Sequence, residues 1–298
     1  MIKKYGIITR RDFLRTGSCA VMGGLMGLPV LSNASAGKIT KSKVVLIRDS
    51  SVVDGTNLRS HILEEMLDQA VTRLFGDPDV NSAWKQLVGP KDIVGIKSNA
   101  WYLLPTPAAL EDAIATRLME AGVKEENISI DDRGIRRNPV FKNSTALINI
   151  RPMRTHHWSG LGTLLKNYIM FVSQPWMYHG NACERLATIW QKPEINGKTR
   201  LNVLVMLTPL FHGVGPHHFS RRHVWPYGGL IVSTDPVAAD ATGARIIQSK
   251  RHEYFGEDKP ISPPPRHIEA ADIKFKLGNS HPDRIDLIKI GWQKDLLI

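Results

Sequence analysis

The sequence predicts an α/β fold: a largely parallel sheet with helices on both faces, plus an inserted loop-rich segment. Three observations carry that prediction. Short apolar runs, read as buried strands, recur along the chain. Segments with apolar residues at helical spacing lie between them. Strand and helix alternate in order, the pattern of parallel strands joined by covering helices.

Lys43–Ile47 ("KVVLI") is the first strand. A helix follows over 60–76, where Ile62, Leu63, Met66, Leu67, Ala70, Val71 and Leu74 keep a 3.6-residue period and Gly76 marks the stop. Asp92–Lys97 is the next strand. The clearest helix spans 106–122: Thr106 can cap it, Pro107 sits in the first turn where a missing N–H is harmless, and Gly122 ends it. Leu110, Ile114 and Leu118 form its buried stripe, with Glu111 and Asp112 near the positive end. Asn127–Asp131, Ala146–Ile150 and Leu201–Leu207 are further strands. Between the last two, "SGLGTLLKNYIMFV" has an apolar face of Leu161, Leu164, Leu165, Tyr168, Ile169 and Val172. "GGLIVS" with "DPVAADATGARIIQSK" makes another strand–helix pair, and "DRIDLIKI" is a last strand. No linker divides the chain, so one domain is expected over 37–298, its insert near 174–228.

The first 36 residues stand apart. A basic stretch containing Arg10, Arg11, Phe13 and Leu14 precedes a weakly apolar run, and Ala34 and Ala36 then form a small-x-small cleavage site after Ala36. Arg-Arg-x-Phe-Leu ahead of such a run resembles a bacterial twin-arginine signal peptide. That implies a translocase partner during export and residence in the periplasm. The run falls short of the roughly 20 apolar residues of a spanning helix, so no stable membrane anchor is expected after cleavage.

The chain carries a formal +11. Lys3, Lys4, Arg10, Arg11, Arg15 and Asp12 lie in the first 36 residues, leaving the remainder at +7. This balance favours anionic partners. Without a homeodomain, zinc-finger or aromatic-basic RNA motif, no nucleic-acid partner is expected. Beyond the signal only Cys183 remains, so neither an intrachain disulfide nor a cysteine-ligated iron–sulfur cluster is available.

Ligands of open parallel sheets bind outside the carboxyl ends of the strands. Residues following the strands include Lys97 and Asn99, Asp132, Arg154, Thr155 and His156, and Asp235. Asp235 before Pro236 is also a strong helix cap, and Lys97 and Asp132 would fit solvated loop ends. Gathered at one rim, they would offer cations, carboxylates and an imidazole. In "RTHHWSGLGT" a glycine-bearing loop opens a helix, so Gly160 would sit where a positive helix end attracts an anion. Lys166 and Asn167 fall off the apolar stripe and fit a solvated face, although Lys166 is also a candidate for binding the anion.

"GIKSN", "INIRPMRTHHWSGLGTLLKN" and "STDPVAADATGARII" resemble the motifs of the domain-of-unknown-function family 362, with gaps, from about Val44 to Ile290. Some members of that family carry iron–sulfur segments, whose cysteines this chain lacks. Ser98 stands where the family commonly has proline, and Arg154 where it commonly has lysine.

The expected function is that of an enzyme acting on a small anionic substrate. Lys97, Asn99, Arg154, Thr155, Gly160 and Lys166 would hold the anion, His156 would transfer a proton, and Asp132 or Asp235 would orient it or hold a metal. A non-catalytic binding or maturation protein for an anionic ligand or redox cofactor would use the same residues. His212, His217, His218 and His223 crowd into twelve residues. They suit a transition metal, an anion-binding loop or plain loop histidines.

Overall fold

The apolar runs pair edge to edge. The computed structural model describes residues 40–213 and 218–298. Arg10, Arg11, Phe13, Leu14, Ala36 and His217 lie outside these residues.

In chain order, β1 (Ser42–Arg48) leads into a small hairpin of β2 (Val53–Asp54) and β3 (Asn57–Leu58). Then come α1 (Ser60–Phe75), α2 (Val80–Lys85), β4 (Val94–Lys97), α3 (Ala108–Glu120), β5 (Ile128–Asp131) and α4 (Pro139–Asn143). A long β6 (Ala146–His156) folds back into β7 (Gly160–Gly162) and a single turn, α5 (Leu164–Asn167). The second half contains α6 (Ala187–Trp190), β8 (Thr199–Leu210), β9 (Gly229–Ser233), α7 (Pro236–Phe255), α8 (Arg266–Ile273) and β10 (Ile285–Gly291). No described helix is long and apolar enough to cross a membrane.

Eight strands form one sheet in the order β10-β1-β9-β8-β6-β4-β5, with β7 paired to β6. The β1–β10, β4–β5, β4–β6 and β6–β8 pairs are parallel. β9 runs antiparallel to both β1 and β8. The reason is local: 211–228 joins β8 to β9 without a crossover helix among its described residues, and only an antiparallel neighbour can be reached that way.

Each sheet face buries its own core. One face receives Leu63, Leu67, Trp84, Leu110 and Ile114 from α1 to α3, against Val45, Ile148 and Val203 of the strands. The other receives Leu164, Leu165, Tyr168, Val237, Ile246 and Ile268 from α5 and its continuation, α7 and α8. Truncating one such fully buried leucine to alanine costs about 2–5 kcal/mol. Gly76 ends α1 in the left-handed conformation, as its position in the sequence predicts.

Three expectations change. The segment 174–228 is not one insert, because β8 runs through its middle and lies at the sheet centre between β6 and β9. "SGLGTLLKNYIMFV" is a hairpin arm, one α-turn and a 3-10 turn (Tyr168–Phe171), its apolar residues buried by the sheet rather than by a helical stripe. Thr106 does not cap α3; its hydroxyl accepts the Asn99 N–H at 3.2 Å, and Pro107 takes the cap position.

Candidate functional site

A cavity of about 250 Å³ opens where the carboxyl ends of β4, β5 and β6 converge. Parallel register sets Lys97 beside Asp131 on one side and Asn149 on the other. The segments just beyond these strands supply Asn99, Trp101 and Asp132 to the cavity, β6 supplies Arg151, Arg154 and His156, and α5 supplies Lys166 and Asn167.

β6 presents three polar side chains to one cavity because its pairing is irregular. An even strand alternates faces, which would separate Arg151 from Arg154 and His156. The β6–β8 register shifts between Pro152 and Arg154, and the alternation slips there. Pro152 accordingly lines a different, apolar hollow, and Thr155 faces a third.

The electrostatics are lopsided. Arg151, Arg154 and Lys166 are all buried. The Nε atoms of Arg151 and Arg154 are buried without a hydrogen-bond partner among the described residues. Trp101 covers the Arg154 guanidinium at 4.0 Å, a cation–π contact that holds the fork in place. Burial pulls Arg151 down to about 10, against the opposing pull of Asp132 and Asp240. Burial, with Arg151 alongside, holds Arg154 well below the ordinary arginine value. Lys166 is lowered to about 8, again chiefly by burial.

Asp132 lines the cavity but is already engaged. Its Oδ1 accepts from the Lys97 ammonium at 2.6 Å and its Oδ2 accepts the Ala100 N–H at 2.9 Å. Burial alone would raise its pKa; Lys97 and these hydrogen bonds hold it below the usual carboxylate range. Lys97 is completely buried, lowered to about 8 by burial against the pull of Asp132, and donates also to the Ser98 and Asn167 carbonyl oxygens. It therefore stands one layer beneath the cavity. From Asn167 a chain of amides runs through the sheet: Asn167 donates to Asn149, Asn149 to Asn202, and Asn202 to the Thr234 carbonyl. Such a fully paired chain fixes the floor.

His156 sits in this positive field. Burial, then Arg154, Lys166 and Arg151, push its pKa far below the ordinary imidazole value, so it is neutral. Its Nδ1 accepts the Trp158 N–H at 3.3 Å, which leaves the proton on Nε2 and makes the ring a donor. His179, also lining the cavity, is lowered to about 4, first by burial and then by Lys166.

Behind Lys166 lies Cys183, its Sγ 3.6 Å from the ammonium. Burial raises the thiol's pKa despite that neighbour, so it stays protonated. Asn181, Ala182 and Cys183 all have positive φ, a left-handed turn that costs about 1–2 kcal/mol per residue. Arg266 donates to the Asn181 side chain at 2.7 Å, and Lys274 pairs with Glu184, pinning the turn to α8.

The structure brings Asn99, Asp132, Arg154, His156 and Lys166 to one cavity, with Lys97 directly below. It separates three other candidates. Asp235 follows β9, and because β9 is antiparallel its carboxyl end lies at the opposite edge, where Ser233 pairs with Val44. There Asp235 caps α7 through the Val237 and Ala238 N–H groups and accepts from Ser42 and Asn279. Gly160 pairs with His156 in the hairpin rather than opening a helix; its φ of +70° and the Pro263 carbonyl beside it leave no room for a Cβ. The N–H groups that begin α5, Leu164 and Leu165, are instead taken by the Asp240 carboxylate at 2.9 Å each. Thr155 faces the histidine loop, away from His156.

The described residues of that loop do not gather as metal ligands. Among the described residues no group of three His, Cys, Asp or Glu side chains gathers at a point. His212 and His223 stack edge to face at 4.7 Å, but Arg251 meets His212 Nδ1 at 3.0 Å and Arg222 donates to His223 Nε2 at 3.2 Å. Guanidinium donors at those nitrogens oppose a cation. Burial first, then His223 and the cations Arg251, Lys259 and Arg222, lower His212 to about 4.

Residues 111–245 match the family model described as Domain of unknown function (DUF362). The DUF362 match includes β5, β6, α5, β8, β9 and the first half of α7, so it takes in most of the cavity wall. Lys97 and Asn99 precede it. No curated protein and no solved structure matches the chain.

The sequence reading left Arg151, Trp101 and Asn167 out of the candidate site. Arg151 stands in a strand that runs to His156 rather than ending at Ile150, on the same face as Asn149, and the register shift that brings Arg154 and His156 round to that face has no sequence signature. Asn167 and Lys166, off the apolar stripe, are buried because the segment is one turn wedged against the sheet, not an amphipathic helix with a wet face.

Proposed function

We propose that this is an exported protein that seats a small anion in the Arg151–Arg154–Lys166 cavity and acts on it as an enzyme. The observation that carries the reading is a charge imbalance. Three buried cations face one hollow, and its lining carboxylate, Asp132, is already paired to Lys97. Burying a charge without a partner is costly, and a bound anion would supply the missing one. The two guanidinium forks are suited to a phosphoryl or carboxylate group, and neutral His156 would add an N–H donor.

Lys166 is the group best placed to move a proton, because a lysine lowered to about 8 gives and accepts protons near neutrality. Burial and the neighbouring cations make His156 too weak a base for that role, so it serves as a donor that orients the substrate. A non-catalytic anion-binding protein is the alternative, favoured by the engagement of Asp132 with Lys97. Export rests on the twin-arginine-like motif at Arg10, Arg11, Phe13 and Leu14 with cleavage after Ala36. It would place the protein in the bacterial periplasm after passage through the translocase.

Calorimetry with inorganic phosphate tests the site. The wild-type chain should bind it, and Arg151→Met with Arg154→Met should weaken binding about tenfold or more. No binding of phosphate or of a small carboxylate would overturn the reading. Lys166→Arg then separates the two classes across a panel of phosphate esters: an enzyme loses turnover while keeping affinity, whereas a carrier shows no turnover in either form. Replacing Arg10 and Arg11 by lysine should block export.

A further inference from the structure

The cavity continues outward. Arg133, Met170 and Pro175 line both it and an adjoining hollow of about 550 Å³. That hollow shares Arg136, Val172 and Ser173 with a third of about 340 Å³, whose far end is lined by Arg185 and Lys192. Arg137 also lines the middle hollow. The three form one trough from the buried cavity to the surface.

The trough is cationic along its length. Arg133, Arg136, Arg137 and Arg185 are exposed and Lys192 is half-buried. Beyond the cavity no carboxylate lines either hollow. Of the five cations only Arg133 approaches an acid among the described residues: Asp132, at 3.8 Å. A surface balanced for solubility mixes both signs; a single-sign groove of unpaired cations attracts and aligns a negative chain. The segment that builds it runs straight from β5 through "DRGIRR", so three arginines fall within five residues beside the cavity mouth.

The inner seat narrows the chemistry. Arg151, Arg154, Lys166 and the His156 N–H offer more donors than the two oxygens of a carboxylate can take up. A terminal phosphoryl group, with three acceptor oxygens, matches them better. We propose that the ligand is an oligophosphate: a terminal phosphoryl group seated in the buried cavity, followed by at least two further phosphoryl groups along Arg133, Arg136 and Arg137. This inference rests on the anion-binding reading of the cavity and names the class of ligand that fills it.

Calorimetry of the full chain at fixed ionic strength, with orthophosphate, pyrophosphate and tripolyphosphate, tests it. Affinity should rise at each step, tripolyphosphate binding about tenfold or more tighter than orthophosphate. The double variant Arg136→Ser, Arg137→Ser should remove that gain and leave orthophosphate affinity within about twofold. Arg73→Ser, on α1 across the sheet, should change neither. Both arginines are exposed, so the double variant keeps the fold, which circular dichroism checks. Equal affinity for the three phosphates would overturn the trough and leave the cavity standing. Failure of all three to bind would overturn the cavity reading as well. Hexaglutamate binding as tightly as tripolyphosphate would overturn the phosphoryl assignment.

Discussion

Lys97 donates to Asp132 across 2.6 Å with the lysine side chain wholly out of solvent and the carboxylate at the floor of the cavity. Lys97 supports the site from beneath, and Asp132 links it to the cavity lining. Breaking the pair leaves one buried charge uncompensated, which costs about 3–5 kcal/mol. Lys97→Ala should therefore lower unfolding stability by that order, measured by urea denaturation. Lys97→Met with Asp132→Asn, which removes both charges, should recover part of the loss. A loss under about 1 kcal/mol in the single variant would mean that water reaches the pair.

His156 reports the field of the cavity. With burial and three cations holding it neutral, its ring should show the Nε2–H tautomer and no titration down to pH 5 by ¹⁵N NMR. An anion seated beside it favours the charged ring, so saturating phosphate should raise its pKa by about one pH unit or more. Titration of His156 near 6.5 in the free protein would contradict the buried positive field.

Lys166 gives the cavity a pH dependence of definite sign. The protonated ammonium attracts the anion, and the anion in turn raises its pKa above the free value of about 8. Affinity is thus full below pH 8 and falls as pH rises through that value. Sulfate, whose charge is constant over this range, is the suitable probe. Lys166→Met should bind sulfate more weakly and flatten the slope between pH 7 and 9.5. A flat wild-type profile would remove Lys166 from the anion's contacts.

The sheet was legible because its strands are uninterrupted apolar runs, and runs of that kind have few alternatives to burial. Strand direction was less so. "GGLIVS" has the composition of a parallel strand, yet β9 is reversed, and what decides it is a connection with no crossover helix among the described residues of 211–228, a feature of the connection rather than of the strand. That reversal moved Asp235 to the far edge. Lys97, Asp132, Arg154 and His156 were found by the strand-end rule because β4, β5 and β6 obey it. That Arg151 shares a cavity with Arg154 and His156 was not legible, because a register shift between Pro152 and Arg154 brings those two round to its face.

Asp240 shows the same tertiary control and yields the last expectation. It lies within α7, fully buried, and its carboxylate accepts the Leu164 and Leu165 N–H groups that begin α5, so a helix on one stretch of chain caps a turn on another. Burial raises its pKa to about 7 against those hydrogen bonds. In the unfolded chain the value is about 4. Between these two values the folded protein holds a proton that the unfolded chain has released, so this group's contribution to stability falls as pH rises from about 4 to about 7. Asp240→Asn has no such proton. It can also accept only one of the two N–H groups well, which leaves a buried donor unpaired at a cost of about 1–3 kcal/mol. Urea denaturation of both proteins at pH 4.5 and 7.5 separates these effects. The wild type should be ahead by more at pH 4.5 than at 7.5, since only its side of the comparison carries the proton linkage. A gap that widens toward pH 7.5 would show that the carboxylate is ionised in the core and stabilised there by Arg151, in which case the α5 turn is held by a charged cap rather than a protonated one.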